Sequence, residues 1–260
     1  MAAVRSFVRG AHFTAGGVKS AKPTTNFSLL ALDSDEEDAG DFPSVPTAKA
    51  TRQVADSVVD PIAFFATDPG GFLVGRVDGE PQVCISVVKY GTGFGFLGFY
   101  IARPEVRGKG YGIQVWNAGM ARLAGRNVGL DGVVAQQDNY RKSGFKLAWN
   151  NIRHEGPVPD VKVPADVGLV DARDIPFDRL AAYDRRFFPE ARASFLAPWL
   201  SLPERTSLVA LRDGEIAGFA VMRACRAASR VGPLYAATPE IAAALVSALA
   251  ENMRAKTVAI

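Results

Sequence analysis

Residues 104–116 read PEVRGKGYGIQVW, a glycine-rich loop that leads into an apolar, helix-like segment. Before the loop, Gly93–Ala102 is a run of β-favouring and aromatic residues, which predicts a strand. After it, apolar residues at helical spacing predict a helix over Tyr111–Ala124. A strand, glycine loop and helix in this order can turn backbone N–H groups into a concave anion site at the helix N-terminus. Arg107 and Lys109 add positive charge, so the predicted ligand is a phosphate or pyrophosphate, and a tight packing turn is the alternative.

The segments around this loop predict a mixed α/β unit. Asp78-Gly79 is a favoured two-residue hairpin turn. We expect strands at Phe72–Val77, Gln82–Tyr90, Val128–Val134 and Phe145–His154, a short strand at Phe27–Leu32, and short helices at Pro61–Thr67 and Gln137–Ser143. Prolines at 157, 159 and 164 then predict a linker.

Other phosphate motifs fail on spacing. The sequence contains no Gly-x-x-x-x-Gly-Lys-Ser/Thr loop. Gly93–Gly98 spells Gly-x-Gly-x-x-Gly, but it lies inside a predicted strand and opens no helix, and no acid follows about 20 residues later to hold a ribose. The dinucleotide-binding interpretation is therefore rejected.

Part of the pattern recurs 135 residues later. Asp213-Gly214-Glu215 repeats Asp78-Gly79-Glu80, and Tyr235 to Glu240 repeats the spacing of Tyr100 to Glu105. Two matches in register predict an internal duplication, with a single larger α/β domain as the alternative. In the second copy, Ala242–Ser247 replaces the glycine loop, which predicts that this copy has lost the loop's function.

Composition narrows the function classes. The 260 residues suggest nearly two domains, and 48% hydrophobic content suffices for a normal core. Two His and two Cys exclude a Cys/His zinc cluster and a disulfide framework. A net charge of +3 argues against nucleic-acid binding, and no apolar run is long enough to span a membrane. Lone cysteines in apolar runs suit a reducing, cytoplasmic compartment.

The first 55 residues differ from the rest. Residues 1–32 carry four basic residues and no acid, and an acidic block follows at Asp33–Asp38. We expect a flexible leader that includes a first strand at most. An organelle transit peptide over residues 1–32 is the alternative.

Two motifs carry a family resemblance. Arg107-x-x-Gly110-x-Gly112, between a strand and a helix, resembles the pyrophosphate loop of the GNAT superfamily of N-acetyltransferases, and Tyr140-Arg141-Lys142-Ser143-Gly144-Phe145 resembles its later Tyr-x-Lys-x-Gly-Phe signature. The resemblance implies an α/β (α+β) fold with two GNAT-like mixed β-sheet domains and flanking helices, the second incomplete. The expected division is a leader at 1–55, a GNAT domain at 56–155, a linker at 156–164, and a degenerate GNAT-like domain at 165–260.

The resemblance also implies roles for particular residues. The backbones of Tyr100, Ile101 and Ala102 would bind the pantetheine arm of acetyl-CoA. Tyr140 would donate a proton to the departing thiolate. The pyrophosphate would be bound by the loop residues Arg107, Gly108, Lys109, Gly110, Tyr111, Gly112 and Ile113. No metal is implied.

Other features depart from the family's pattern. No acid lies between Glu80 and Glu105, where such enzymes often place a general base on the central strands. Asp131, Asp138, His154 or a water chain are the alternatives. Cys84 is expected to be a buried structural residue rather than a nucleophile. The second copy ends before the position of a fifth strand, so we expect an open sheet edge, which leaves a homo-oligomer open.

The leading functional hypothesis is an acetyl-CoA-dependent N-acetyltransferase that transfers an acetyl group to a primary amine by direct attack. The acceptor would be a small molecule or a peptide. The alternative is a CoA-binding or scaffolding protein with a GNAT fold that has lost acetyltransferase activity.

Overall fold

The chain divides into two compact units. A computed structural model describes residues 27–31, 60–148, 150, 154–226 and 228–260. The first unit contains the described residues 27–31 and 64–150, and the second contains residues 60–63 and 154–260. The strand expected near Phe27 is confirmed at Phe27–Ala31, whereas the other expectations for the leader lie outside the described residues.

The first unit is a five-stranded sheet with helices. Its strands follow in spatial order, and only the β4–β5 pair is parallel. They are β1 (Phe27–Ala31), β2 (Phe72–Val77), β3 (Glu80–Tyr90), β4 (Phe94–Ala102) and β5 (Asn127–Leu130). Helix α1 (Asp60–Thr67) is shared by the two units, and the first unit also holds α2 (Tyr111–Arg122) and α3 (Gln137–Lys142).

The β2–β3 hairpin is confirmed, and its turn explains the sequence. Asp78 has φ +53° and Gly79 has φ +86°. Positive φ at both central residues is the I′ geometry that matches the strand twist, and Asp-Gly is among the sequences best suited to it. The hairpin aligns apolar residues of β2 and β3 on one face, where α2 packs through Val115 and Trp116.

Strands β4 and β5 separate halfway along β4. They pair only where Phe94–Leu97 lies beside Asn127–Leu130. Beyond Leu97, the register between β3 and β4 shifts at a bulge that contains Phe99, which has φ +44°. Bulges bend a strand and re-aim its groups. Among the described residues, no strand pairs with the last residues of β4 on the side that faces β5.

Two sequence-based expectations for the first unit are wrong in extent or type. The strand predicted over Val128–Val134 ends at Leu130, and Val134–Gln136 forms a 3-10 turn. Of the strand predicted over Phe145–His154, residues 145–148 have no regular structure, and residues 149 and 151–153 lie outside the described residues. Instead, β6 (Glu155–Pro157) pairs with the last strand of the second unit. It spans the boundary predicted between the first domain and the linker.

The second unit is a six-stranded sheet in the order β6-β11-β10-β9-β8-β7. Its further strands are β7 (Gly168–Asp171), β8 (Arg205–Arg212), β9 (Glu215–Arg223), β10 (Ser229–Ala236) and β11 (Thr257–Ala259). Its helices are α4 (Phe177–Arg185), α5 (Ala193–Ser201) and α6 (Pro239–Met253). Among the described residues, no helix is both long and apolar enough to cross a membrane.

The expectation that the second copy lacks a fifth strand is wrong. Strand β11 runs parallel to β10, as β5 runs parallel to β4. The expected open edge is also wrong, because β6 covers β11 in antiparallel pairing. Strand β11 could not be predicted from the sequence because it is only three residues long.

The duplication is visible in the strand register. Gly75 pairs with Val83 and Ala210 pairs with Gly218, at the offset of 135 residues, and both hairpins have a register shift at the next position. Asp213 and Gly214 repeat the turn, with φ +51° and +79°.

The offset is one residue smaller in the third strand. Tyr235 lies opposite Phe219, the position that Ile101 occupies opposite Cys84. The sequence match of Tyr235 with Tyr100 is therefore wrong by one residue. The counterpart of Tyr100 is Leu234.

Candidate active site

The glycine loop is an eight-residue connection, Arg103–Gly110, between β4 and α2. It starts with a 3-10 turn at Pro104–Val106. Gly108 has φ +75° and Gly110, which caps α2, has φ +84°. Side chains rarely adopt this backbone region, which explains the two glycines. A Cβ at either position would enter open space, so the loop presents its backbone outward.

The N-terminus of α2 begins at this loop. The first N–H groups of a helix have no intrahelical acceptor, and the helix dipole favours an anion there. Gly110 brings no side chain to cap them. Lys109 is exposed beside the cap, and so is Arg107. The Arg107 Nε–H donates to the Ala102 carbonyl at 2.9 Å, which fastens the loop to the end of β4.

Three aromatic side chains line the opening between β4 and β5. Trp116, buried on α2, packs against Tyr100 of β4 with ring centroids 5.3 Å apart. Trp116 also stacks with Tyr140 of α3, with centroids 6.1 Å apart and an interplanar angle of 23°. The structure thus brings together the two predicted tyrosines through a tryptophan to which the sequence assigned only a core role.

Tyr140 is held by the backbone that follows β5. Its ring packs so closely on Gly132 that a Cβ there would clash with Cε2. Burial raises the pKa of Tyr140 above its ordinary value, and a backbone hydrogen bond from Val133 opposes that shift. The phenol is therefore protonated at neutral pH and oriented, as a proton donor requires.

Cys84 bridges the bulge in β4. Its thiol donates to the Phe99 carbonyl, with Sγ and O 3.4 Å apart. Burial raises the pKa of Cys84 to about 11, and a backbone hydrogen bond from Ile101 partly offsets this effect. A protonated thiol is a poor nucleophile. This geometry agrees with the structural role expected for Cys84.

The acids near the first unit's sheet have other roles. Glu80 is exposed beside the hairpin turn. Asp68 pairs with Arg122 and accepts the Lys89 backbone N–H at 2.9 Å. Asp138 pairs with Arg141 at 2.6 Å on the exposed side of α3.

The remaining base candidates differ in position. Asp131 is exposed directly after β5. His154 exchanges backbone hydrogen bonds with Ile260, at 3.1 and 2.9 Å, and so extends the β6–β11 ladder of the second unit. His154 therefore belongs to the second unit, and its role as a base stays a prediction.

In the second unit, the start of the equivalent helix α6 is capped. Only Ala237 and Thr238 separate β10 from α6. Thr238 Oγ1 accepts the Ile241 N–H at 3.3 Å. The Glu240 carboxylate accepts its own backbone N–H and a hydrogen bond from Thr238, and these bonds lower its pKa. Side chains of the chain itself thus occupy the place of an external anion.

The end of β10 is also packed. Tyr235 is buried and stacks on Phe187 with centroids 4.2 Å apart. Arg192 donates to the Tyr235 hydroxyl at 3.0 Å and to both oxygens of Asp184 at 2.8 and 2.7 Å. Burial raises the pKa of Tyr235 to about 12. In the described part of the chain, no three His, Cys, Asp or Glu side chains gather as a metal site would require.

Comparison with known proteins identifies both halves of the chain. A model of the acetyltransferase (GNAT) family matches residues 36–145, and a model of an acetyltransferase (GNAT) domain matches residues 180–260. The two matches fall on the two sheets and cover most of the chain.

Two curated relatives are similar in sequence. A holothin acyltransferase of Pseudoalteromonas sp. (strain SANK 73390) is 33% identical over 172 residues, which cover 66% of this chain and 58% of that protein. A Caenorhabditis elegans protein is 30% identical over 162 residues, which cover 56% of this chain and 51% of that protein. The chain spans a little over half the length of these relatives.

Solved structures share the fold. An acetyltransferase-like protein of Pyrococcus horikoshii superposes with a TM-score of 0.67 at 15% identity, covering 95% of this chain and 83% of that one. A tandem GNAT protein from the clavulanic acid biosynthesis pathway has a TM-score of 0.56 at 16% identity, covering 90% and 88% of the two chains.

Proposed function

The chain belongs to the GNAT acetyltransferase family, and from that premise we propose that its first unit is an acetyl-CoA-dependent N-acetyltransferase acting on a primary amine. The observation that carries the proposal is the uncapped start of α2 beside the bulged end of β4. A glycine loop of positive φ, a helix N-terminus and two exposed cations suit a pyrophosphate. The capped start of α6 does not suit a pyrophosphate.

The pantetheine arm of acetyl-CoA would lie between β4 and β5. Extended amide groups of such an arm need backbone partners, and within the described residues no strand lies beside the β5-facing side of Gly98–Ala102. Arg107 already donates to the Ala102 carbonyl, so Tyr100 and Ile101 are the nearer backbone partners to expect. The loop from Arg107 to Ile113 would hold the pyrophosphate.

The chemistry needs one proton donor and a neutral amine. The amine nitrogen attacks the thioester carbonyl carbon, a C–N bond forms and the C–S bond breaks. Tyr140 is the donor we assign to the leaving sulfur, because its phenol is oriented and protonated. We assign the proton lost by the amine to water, because Asp138 is engaged by Arg141 and Asp131 is open to solvent directly after β5. The products are an amide and CoA thiol.

The comparisons support acyl transfer and leave the acceptor to experiment. The Pseudoalteromonas relative is named as an acyltransferase, and this chain spans 58% of its length. Small-molecule and peptide amines both remain acceptor classes in the proposal. A second candidate function, CoA binding without catalysis, is favoured by one observation: β3 and β4 carry no carboxylate between Glu80 and Glu105.

The test is CoA release from acetyl-CoA with a panel of primary amines, combined with direct measurement of acetyl-CoA binding. We expect turnover with at least one amine. Tyr140→Phe should then lower kcat on the order of a hundredfold and leave the Kd for acetyl-CoA unchanged, because only the proton is removed. Binding without turnover on any amine favours the second candidate, and absence of binding contradicts both.

A further inference from the structure

The side chain of Tyr100 has a feature that the resemblance to the family does not account for. Tyr100 was assigned to the cofactor through its backbone alone. Its ring packs on Trp116, and 41% of the residue is exposed. The backbone role therefore does not account for the position of the hydroxyl.

The hydroxyl of Tyr100 lies at the first turn of α2. A Cβ on Gly112 would lie 2.7 Å from Tyr100 Oη and 3.5 Å from Cζ. Gly112 is the second residue of α2, so its N–H is among those without an intrahelical acceptor. The absence of a side chain at Gly112 thus makes room for the phenol beside the helix N-terminus.

The two tyrosine hydroxyls of the site differ in their hydrogen bonds. Tyr140 receives a hydrogen bond from the Val133 backbone. Within the described ranges, the structure gives Tyr100 ring and electrostatic contacts but no hydrogen bond to its hydroxyl. A phenol hydroxyl that lies beside a helix start and has no hydrogen bond within the described residues can donate to an anionic ligand.

The second unit has neither part of this arrangement. The counterpart of Tyr100 is Leu234, which has no hydroxyl. At the start of its helix, Thr238 and Glu240 occupy the N–H groups. The phenol is present only where the helix start is open.

We propose that Tyr100 is a further cofactor-binding residue, whose phenol O–H donates a hydrogen bond to the pyrophosphate at the N-terminus of α2. This inference rests on the proposed function, because it requires acetyl-CoA in the glycine loop. It also explains Gly112: this glycine is required by the position of Tyr100 Oη, whereas Gly108 and Gly110 are required by their positive φ.

The first test is Tyr100→Phe, which removes only the hydroxyl. We expect the Kd for acetyl-CoA to rise about tenfold, as for loss of a hydrogen bond to a charged group. The affinity for pantetheine, which lacks the pyrophosphate and is measured as a competitor, should not change.

The second test is a double-mutant cycle with Gly112→Ala. In the wild-type background the new Cβ meets Oη, so Gly112→Ala should weaken acetyl-CoA binding. In the Tyr100→Phe background the nearest ring atom is Cζ at 3.5 Å, an ordinary contact, so Gly112→Ala should add little further loss. Additive losses would contradict the placement of the phenol.

Other outcomes overturn the inference in recognisable ways. An unchanged Kd for acetyl-CoA in Tyr100→Phe would show that the phenol forms no hydrogen bond to the pyrophosphate. An equal loss of affinity for pantetheine would show that the phenol binds the pantetheine arm instead. A lower kcat with unchanged Kd makes Tyr100 a proton donor instead. If the wild-type chain itself fails to bind acetyl-CoA, the proposed function fails along with the inference, whereas the other results leave that function intact.

Discussion

The starts of α2 and α6 occupy equivalent places in the two units and are built in opposite ways. Eight residues connect β4 to α2, and the cap is Gly110, which has no side chain. Two residues connect β10 to α6, and the cap is Thr238, which binds the Ile241 N–H. Glu240 then adds a carboxylate to the same turn.

If the proposed function holds, the difference explains how the second unit lost a binding site while it kept the hairpin of the first. A helix N-terminus must satisfy its first N–H groups in any case. In the second unit, the chain's own side chains do so, and in the first unit the groups remain available to a ligand. The β2–β3 and β8–β9 hairpins have the same register in the two units. The loss therefore lies in the connection rather than in the core.

The largest effect should come from the network that fills the end of β10. Arg192 pairs with Asp184, whose side chain is 3% exposed. Arg192→Met leaves this carboxylate buried without its partner, which costs about 3–5 kcal/mol. We expect that loss in the free energy of unfolding of the second unit, measured by urea denaturation with hydrogen exchange of β10 as the local probe.

A matched variant distinguishes the ion pair from simple packing. Adding Asp184→Asn to Arg192→Met removes the unpaired charge, so part of the lost stability should return. Acetyl-CoA affinity of the folded protein should be the same in both variants. A loss of affinity would show that the second unit contributes to acetyl-CoA binding. It would then be wrong to describe only the first unit as able to bind the cofactor.

The next largest effect should follow Gly110→Ala. At φ +84° an alanine costs about 1–2 kcal/mol, and the helix start would move to relieve the strain. We expect acetyl-CoA affinity to fall at least about tenfold, measured by calorimetry. The matched control is Gly79→Ala, which has φ +86° and equally open space around its Cβ, but lies in the hairpin turn.

The two glycine variants should lose similar stability and differ in binding. Equal affinity in both would mean that the loop does not hold the cofactor. Equal loss of affinity in both would mean that strain anywhere in the first unit disturbs binding. Either result would contradict the proposal that the start of α2 binds the cofactor and the start of α6 does not.

A smaller effect concerns Cys84, whose counterpart in the second unit is Phe219. The pKa of Cys84 rises from 9.0 to about 11 in the folded chain. The unfolded chain thus loses this proton first, so the stability it contributes is full below pH 9 and falls as the pH rises towards 11. The slope is about 1.4 kcal/mol per pH unit.

Cys84→Ala removes this pH dependence and leaves the tyrosines in place. The wild-type free energy of unfolding should fall more steeply between pH 8.5 and 10.5 than that of the variant, in parallel urea titrations. Parallel curves would show that the thiol is not held at the bulge. The bulge would then differ less from its counterpart in β10 than the structure indicates.

Local chemistry made much of the first unit predictable. Asp78-Gly79 specified a turn that only such residues adopt readily, and the glycine loop specified a helix start. Strand β11 escaped because three residues carry no periodicity, and it forms only because β10 and β6 supply its partners. Tertiary pairing decided it rather than propensity.

The site was predictable in its backbone and less so in its side chains. The loop residues were found from their spacing, whereas Trp116 was assigned to the core because its position on α2 suits burial. Its contacts with both tyrosines depend on the separation of β4 from β5. The one-residue slip of Tyr235 depends on the register of β10, which no local pattern encodes.

The smallest effect should come from Thr238→Ala, which removes the side-chain cap of α6. Loss of such a cap costs about 1 kcal/mol, because the Ile241 N–H loses its acceptor. We expect faster hydrogen exchange in the first turn of α6 and an unchanged Kd for acetyl-CoA. Thr238→Ser, which keeps the hydroxyl, should behave as the wild type. A second, weaker acetyl-CoA site in Thr238→Ala would show that the cap alone prevents binding in the second unit. No second site would indicate that the short connection prevents binding, because two residues cannot form the concave anion site that eight residues form.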